Sequence, residues 1–173
     1  MEKIAKFTKV SFEQFEKDFT KIFPTYKNQK EMLLNLYESI PLPKRATNGS
    51  AGYDIYSPVG LIVKPGETVT IPTGIRVYMD AGWVLKIYPR SSFGFKYRAQ
   101  LDNTVGIIDQ DYYYANNEGH IMIKITNDTK EDKTMTISFM DRIVQGIFEK
   151  FGITVDDDEY DKSERTGGFG STN

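Results

Sequence analysis

The sequence predicts a mainly β domain, a sandwich or barrel of the jelly-roll kind, behind a short N-terminal helical extension. Three observations predict it. Before Pro41 the apolar residues recur at helical spacing. After Pro43 the texture changes to short runs of alternating or β-branched residues separated by Gly, Pro and Asn. These runs are too many and too closely spaced for a doubly wound sheet, whose strands alternate with helices. At 173 residues the chain is long enough for one domain with a full core.

The first helix is expected from Ser11 to Ile22, where Phe12, Phe15, Phe19 and Ile22 mark one face and Ser11 with Gln14 has the form of a capping box. Pro24 breaks the pattern. In the second helix Asn28 and Glu31 supply the cap and box, Leu33, Leu36, Tyr37 and Ile40 form the apolar face, and Pro41 ends it. An aromatic stripe at this spacing reads as a face buried against its own domain; the competing reading is a docking surface for a partner. Strands are expected at Leu61 to Val63, Thr68 to Ile71, Ile75 to Met79, Trp83 to Tyr88, Ile121 to Thr126, Met135 to Phe139 and Ile143 to Phe148. Lys64-Pro65-Gly66-Glu67 is a turn between the first two. From about Thr154 the chain is acidic, then glycine-rich; Asp156, Asp157, Asp158, Glu159 and Asp161 lack the ligand spacing of a calcium loop and read as a solvated linker. The expected organisation is a helical extension over 1–41, a β core over 42–153 and a C-terminal arm over 154–173.

Composition removes several function classes. The net charge of -2 argues against binding a nucleic-acid polymer, which needs many uncompensated Lys and Arg, but leaves a small anionic ligand open. Without cysteine there is no disulfide framework, thiolate nucleophile or Cys-ligated zinc, and the single His120 removes any multi-histidine metal site. The opening MEKIAKF continues charged, with no apolar run long enough for a signal segment or a membrane span, so a cytoplasmic location and no membrane partner are expected.

The glycine-rich tail Gly167-Gly168-Phe169-Gly170-Ser171-Thr172 would let backbone amides approach an anion, although it lacks the lysine and spacing of a Walker loop. It does not occur alone. Ala51-Gly52-Tyr53-Asp54, Pro89-Arg90-Ser91-Ser92, Gly106-Ile107-Ile108-Asp109-Gln110-Asp111-Tyr112, Asp141-Arg142-Ile143-Val144-Gln145 and this tail follow one another in order. Together they closely resemble the five motifs of the trimeric dUTPase family, over a stretch from about Leu42 to the C-terminus.

The resemblance implies a jelly-roll-like β-barrel, a homotrimer with sites at subunit interfaces, and magnesium-assisted hydrolysis of dUTP to dUMP and pyrophosphate. That reaction keeps uracil out of DNA and supplies dUMP for thymidylate synthesis. Attack of water on the α-phosphorus needs a base, charge neutralisation and alignment. Asp109 matches the water-activating aspartate; read alone, Asp109 and Asp111 read as a turn rather than as catalytic residues. Arg90 and Ser91 match phosphate contacts, with Ser92 as a further donor and Gln145 as another phosphate-side contact. Asp54 matches the carboxylate that positions hydrated Mg²⁺ from its outer sphere. Asn103 and the hairpin backbone around Gly106 and Ile108 would read uracil, and Tyr112 would exclude a ribose by shape. In the fifth motif Phe169 would stack on uracil while Gly170, Ser171 and Thr172 close over the phosphates.

Asp141-Arg142 reads as holding the interface or the strand end, where an ion pair would be structural. Two departures from the family stand out. Arg165 is separated from the Gly-Gly pair by Thr166 alone, where relatives have two residues, and Tyr113 to Glu118 replace a shorter turn. The nearest alternative, a dCTP deaminase on a similar fold, needs a catalytic glutamate where this chain has Ile121-Met122-Ile123-Lys124. A third reading is a dUTP-binding protein that signals through its added helices.

Overall fold

The computed structural model describes residues 2–159 and Gly167. Arg165, Phe169, Gly170, Ser171 and Thr172 lie outside the described residues.

A strand absent from the sequence reading, β1 (Ala5–Lys9), comes first and pairs antiparallel with β6 (Ile75–Met79). Helix α1 (Phe12–Ile22) then begins as expected, with the Ser11 side chain accepting the Gln14 amide at 3.1 Å. The return half of the box differs: Gln14 Nε2 donates to Asp18, and the Ser11 amide is taken by Glu118 from across the fold. Helix α2 (Lys30–Ser39) starts one residue later than the Asn28 cap implied, with Gln29 at the cap position and no side-chain cap. It stops at Ile40 in extended conformation, because Pro41 disfavours the helical region for the residue before it.

The β part contains β2 (Lys44–Arg45), β3 (Tyr53–Tyr56), β4 (Leu61–Val63), β5 (Thr68–Pro72), β6, β7 (Trp83–Pro89), β8 (Ala99–Leu101), β9 (Gly106–Ile108), β10 (Met122–Asn127), β11 (Met135–Ile137) and β12 (Arg142–Lys150). The turn after β4 forms as expected, with the Glu67 amide bonded to the Lys64 carbonyl at 3.0 Å. Among the described residues every ladder is antiparallel, and the strands form sheets of orders β1-β6, β5-β10-β8, β11-β4 and β2-β3-β12-β7-β9 rather than one closed barrel. Between β7 and β8 lies α3 (Ser91–Tyr97), also unforeseen, ending on Arg98 in the left-handed region.

Two clusters fill the interior. One lies among the sheets and includes Ile55, Ile71, Leu85, Ile125 and Ile143. The other packs the helices on the sheet edge through Val10, Phe15, Phe19, Leu33, Ile40, Val59 and Ile75. Phe15 and Phe19 are fully buried, so the aromatic stripe of α1 is spent on its own domain. Burial of each large apolar side chain contributes about 1.5–3 kcal/mol, enough to hold a short helix that would be marginal alone. No helix among the described residues is long and apolar enough to cross a membrane.

Candidate active site

The five-stranded sheet assembles the first group of expected residues. On β12 the register shifts between Arg142 and Val144, so that Arg142 stands opposite Tyr56 while Gln145 stands opposite Asp54. The bulge puts residues three apart on one face, where a regular strand would send them to opposite faces. Gln145 also faces Tyr88 on β7, and Lys44 on β2 faces Asp54 from the other side. One face therefore carries Lys44, Asp54, Gln145 and Tyr88 in a row, with Arg142 beside it. Arg90 joins this face at the end of β7, its amide bonded to the Ile143 carbonyl at 3.1 Å.

Asp54 is nearly buried, and its two oxygens hold two guanidinium groups: Arg90 Nη1 lies 3.3 Å from Oδ1 and Arg142 Nη1 3.3 Å from Oδ2. Arg142 thus pairs with Asp54 rather than with its neighbour Asp141. Asp141 instead accepts the Ser138 amide at 2.7 Å and closes the turn into β12. Arg142 is thus a site residue that sequence reading missed, because the bulge that turns it leaves no mark in residue types. Gly52 is explained by the same geometry, since a Cβ there would meet Gln145 Oε1 at 2.5 Å.

Ser91 and Ser92 are exposed at the start of α3, whose first amides precede any intrahelical bond and so are available to an anion. The Arg90 carbonyl accepts from Phe93 and Gly94, at 3.0 and 2.9 Å. Lys44, Arg90, Arg142, the two serines and Gln145 surround one buried carboxylate, a set suited to a polyphosphate. No group of three or more His, Asp or Glu among the described residues could enclose a metal. That donor set fits an ion whose inner ligands are phosphates and water, with Asp54 in the outer sphere, because a carboxylate engaged by two guanidinium groups still has acceptor capacity.

The second group lies elsewhere. The connection from β8 to β9 carries exposed Asn103, and β9 brings Gly106 and Ile108. The Ile108 side chain is in the core, so contact with a base would run through its backbone. Asp109 is half-buried at the start of a 3-10 turn, Gln110–Tyr114, which its side chain does not cap. Tyr112 is 3% exposed, with its hydroxyl donating to the His120 carbonyl and accepting from Asn117 Nδ2, both at 2.7 Å. Since Ile108 pairs with Leu85, Asp109 falls beside Val84, six residues along β7 from Arg90. At about 3.3 Å per residue that is roughly 20 Å along the strand. Arg90 and Asp109 therefore do not meet within one chain.

The family model for dUTPase matches residues 38–173. Deoxyuridine 5'-triphosphate nucleotidohydrolase of Lactococcus lactis subsp. lactis is 47% identical over 134 residues, covering 77% of this chain and 88% of that protein. The enzyme of the same name from Hahella chejuensis is 38% identical over 143 residues, covering 79% and 90%. Among solved structures, the dUTPase from Streptococcus mutans superposes with a TM-score of 0.59 at 42% identity, over 65% of this chain and 88% of that one. The dUTPase from phage phi11 of S. aureus, at 22% identity and a TM-score of 0.57, shares the fold over 78% and 94%.

Proposed function

The chain belongs to the dUTPase family, and from that premise we propose that it is a dUTP diphosphatase releasing dUMP and pyrophosphate through a site shared between copies of the chain. The observation that carries this reading is the cationic face around Asp54, set apart from Asp109 by the register of β7.

Asp109 holds a water and takes one of its protons as the oxygen attacks the α-phosphorus; the bond to the bridging oxygen breaks and pyrophosphate leaves. Arg90, Arg142 and Lys44 offset the charge on the phosphates, while Ser91, Ser92 and Gln145 orient them. Asp54 keeps the two guanidinium groups fixed in place and would hold the waters of a bound Mg²⁺, which would supply further charge neutralisation. Asn103 and the backbone at Gly106 and Ile108 read uracil, and the held ring of Tyr112 leaves no room for a 2′-hydroxyl. In the arm, Phe169 stacks on the base, and Arg165, Gly170, Ser171 and Thr172 cover the phosphates.

A ligand held by both groups is completed most directly by a second copy that brings its Asp109 to the first copy's Arg90. A homotrimer of this domain provides it by rotation. The deaminase alternative lacks its acid: Ile121 and Ile123 are core residues, and Lys124 pairs with Asp102 at 2.8 Å. Incubation with Mg²⁺ and, separately, dUTP, UTP, dTTP and dCTP tests the reading. Release of dUMP and pyrophosphate from dUTP alone is expected; formation of a uracil nucleotide from dCTP would overturn it.

A further inference from the structure

The single histidine and a helix outside the family match share a hydrogen-bond network behind the Asp109 turn. His120 is fully buried. Its Nε2 accepts the Gly74 amide at 2.8 Å, which places the proton on Nδ1, and Nδ1 donates to Asp18 Oδ2 at 2.6 Å. Gln14 Nε2 donates to the same oxygen at 2.7 Å. Two turns earlier on α1, Ser11 donates its amide to Glu118 Oε2 at 2.7 Å and its hydroxyl to Oε1 at 2.6 Å. Glu118 has φ 57°, a left-handed conformation that a side chain takes only where its surroundings require it. Arg76 adds an ion pair at 3.6 Å and stacks on the Tyr113 ring.

From this frame the network reaches the catalytic turn. The His120 carbonyl accepts the Tyr112 hydroxyl, Asn117 donates to that hydroxyl, and the Tyr112 amide donates to the Asp109 carbonyl at 3.2 Å. Gly119 packs so closely that a Cβ would stand 2.6 Å from the Tyr112 carbonyl oxygen. The apolar stripe already docks α1 through Phe15 and Phe19. The polar bonds do something else: being directional, they fix its register against the loop.

We propose that α1 is a positioning element for the reaction, with Ser11 and Asp18 acting through Glu118 and His120 to set Tyr112 and the Asp109 turn. This rests on Asp109 being the base. The test uses the full chain carrying Asp18→Ala, Asp18→Asn, Ser11→Ala or Asp109→Asn, with kinetics on dUTP well below each variant's unfolding midpoint. Asp18→Ala is expected to lower kcat roughly tenfold, with KM changed less than about twofold. Asp18→Asn, whose amide oxygen still accepts from Nδ1–H, should recover most of the rate. Ser11→Ala, which removes only a hydroxyl, should show a smaller loss of the same kind and gives the answer if Asp18→Ala does not fold. Wild-type kcat in both Asp18→Ala and Ser11→Ala, beside an inactive Asp109→Asn, overturns the positioning role alone. An active Asp109→Asn overturns the assignment of the base and this inference with it.

Discussion

Gly52 and Gln145 show how one residue's absence of a side chain can shape the phosphate face. A Gly52→Ala change pushes the end of a flexible side chain and no backbone. Stability should therefore fall by less than about 1 kcal/mol, while kcat/KM for dUTP drops; an unaltered kcat/KM would place Gln145 outside the site. Asp109→Asn keeps the shape and deletes the base, so nucleotide binding should persist while turnover falls by about a hundredfold or more, as read by calorimetry and product release on one preparation. Legibility differs residue by residue. Asp54, Arg90 and Gln145 could be named from their motifs, because chemistry fixed their types. Arg142 and Lys44 could not, since what recruits them is a bulge and a strand pairing between distant segments.

At the scale of elements, the strands that the sequence announces are those with enough β-branched or aromatic residues to bury a face, such as β6, β7 and β12. β8 reads Ala-Gln-Leu with no β-branched residue, β9 opens on glycine, and β1 is lysine-rich. α3 is hidden by Gly94 and its start at a proline-arginine pair. Helix α1 was legible through its stripe, and Phe19→Ala should cost about 3–5 kcal/mol in chemical denaturation. Its polar anchors depend on acid. Burial pushes Asp18 up, but the hydrogen bonds from His120 and Gln14, with Lys17 nearby, outweigh it and hold the carboxyl below its ordinary value. Glu118 is likewise raised by burial and brought lower by the Ser11 hydroxyl and amide, then by Arg76 and His120. In the range where the unfolded carboxylates take up protons, at about pH 4, the folded ones resist, so their stabilisation is complete above that range and lost as pH falls through the folded values. Wild type should lose stability from pH 5 to 3 more steeply than the Asp18→Asn/Glu118→Gln double variant, measured by thermal unfolding. Equal slopes would contradict the anchoring.

For the whole molecule, the decisive fact is a separation. Sequence motifs list the site residues in one dimension and give no hint that β7 holds Arg90 and Asp109 at opposite ends. With Asp109 as the proposed base and Arg90 on the phosphates, chemistry on a single α-phosphorus calls for more than one chain. The most direct measurement is complementation: Arg90→Ala and Asp109→Asn chains, each inactive alone, are co-expressed with different tags, purified as mixed assemblies and assayed for dUMP release. In a mixed cyclic trimer, about one site in three receives an intact Arg90 from one chain and an intact Asp109 from its neighbour. The account predicts recovery of roughly that fraction of wild-type turnover. Mixed assemblies with no turnover would mean that each chain builds its own site, and would contradict it.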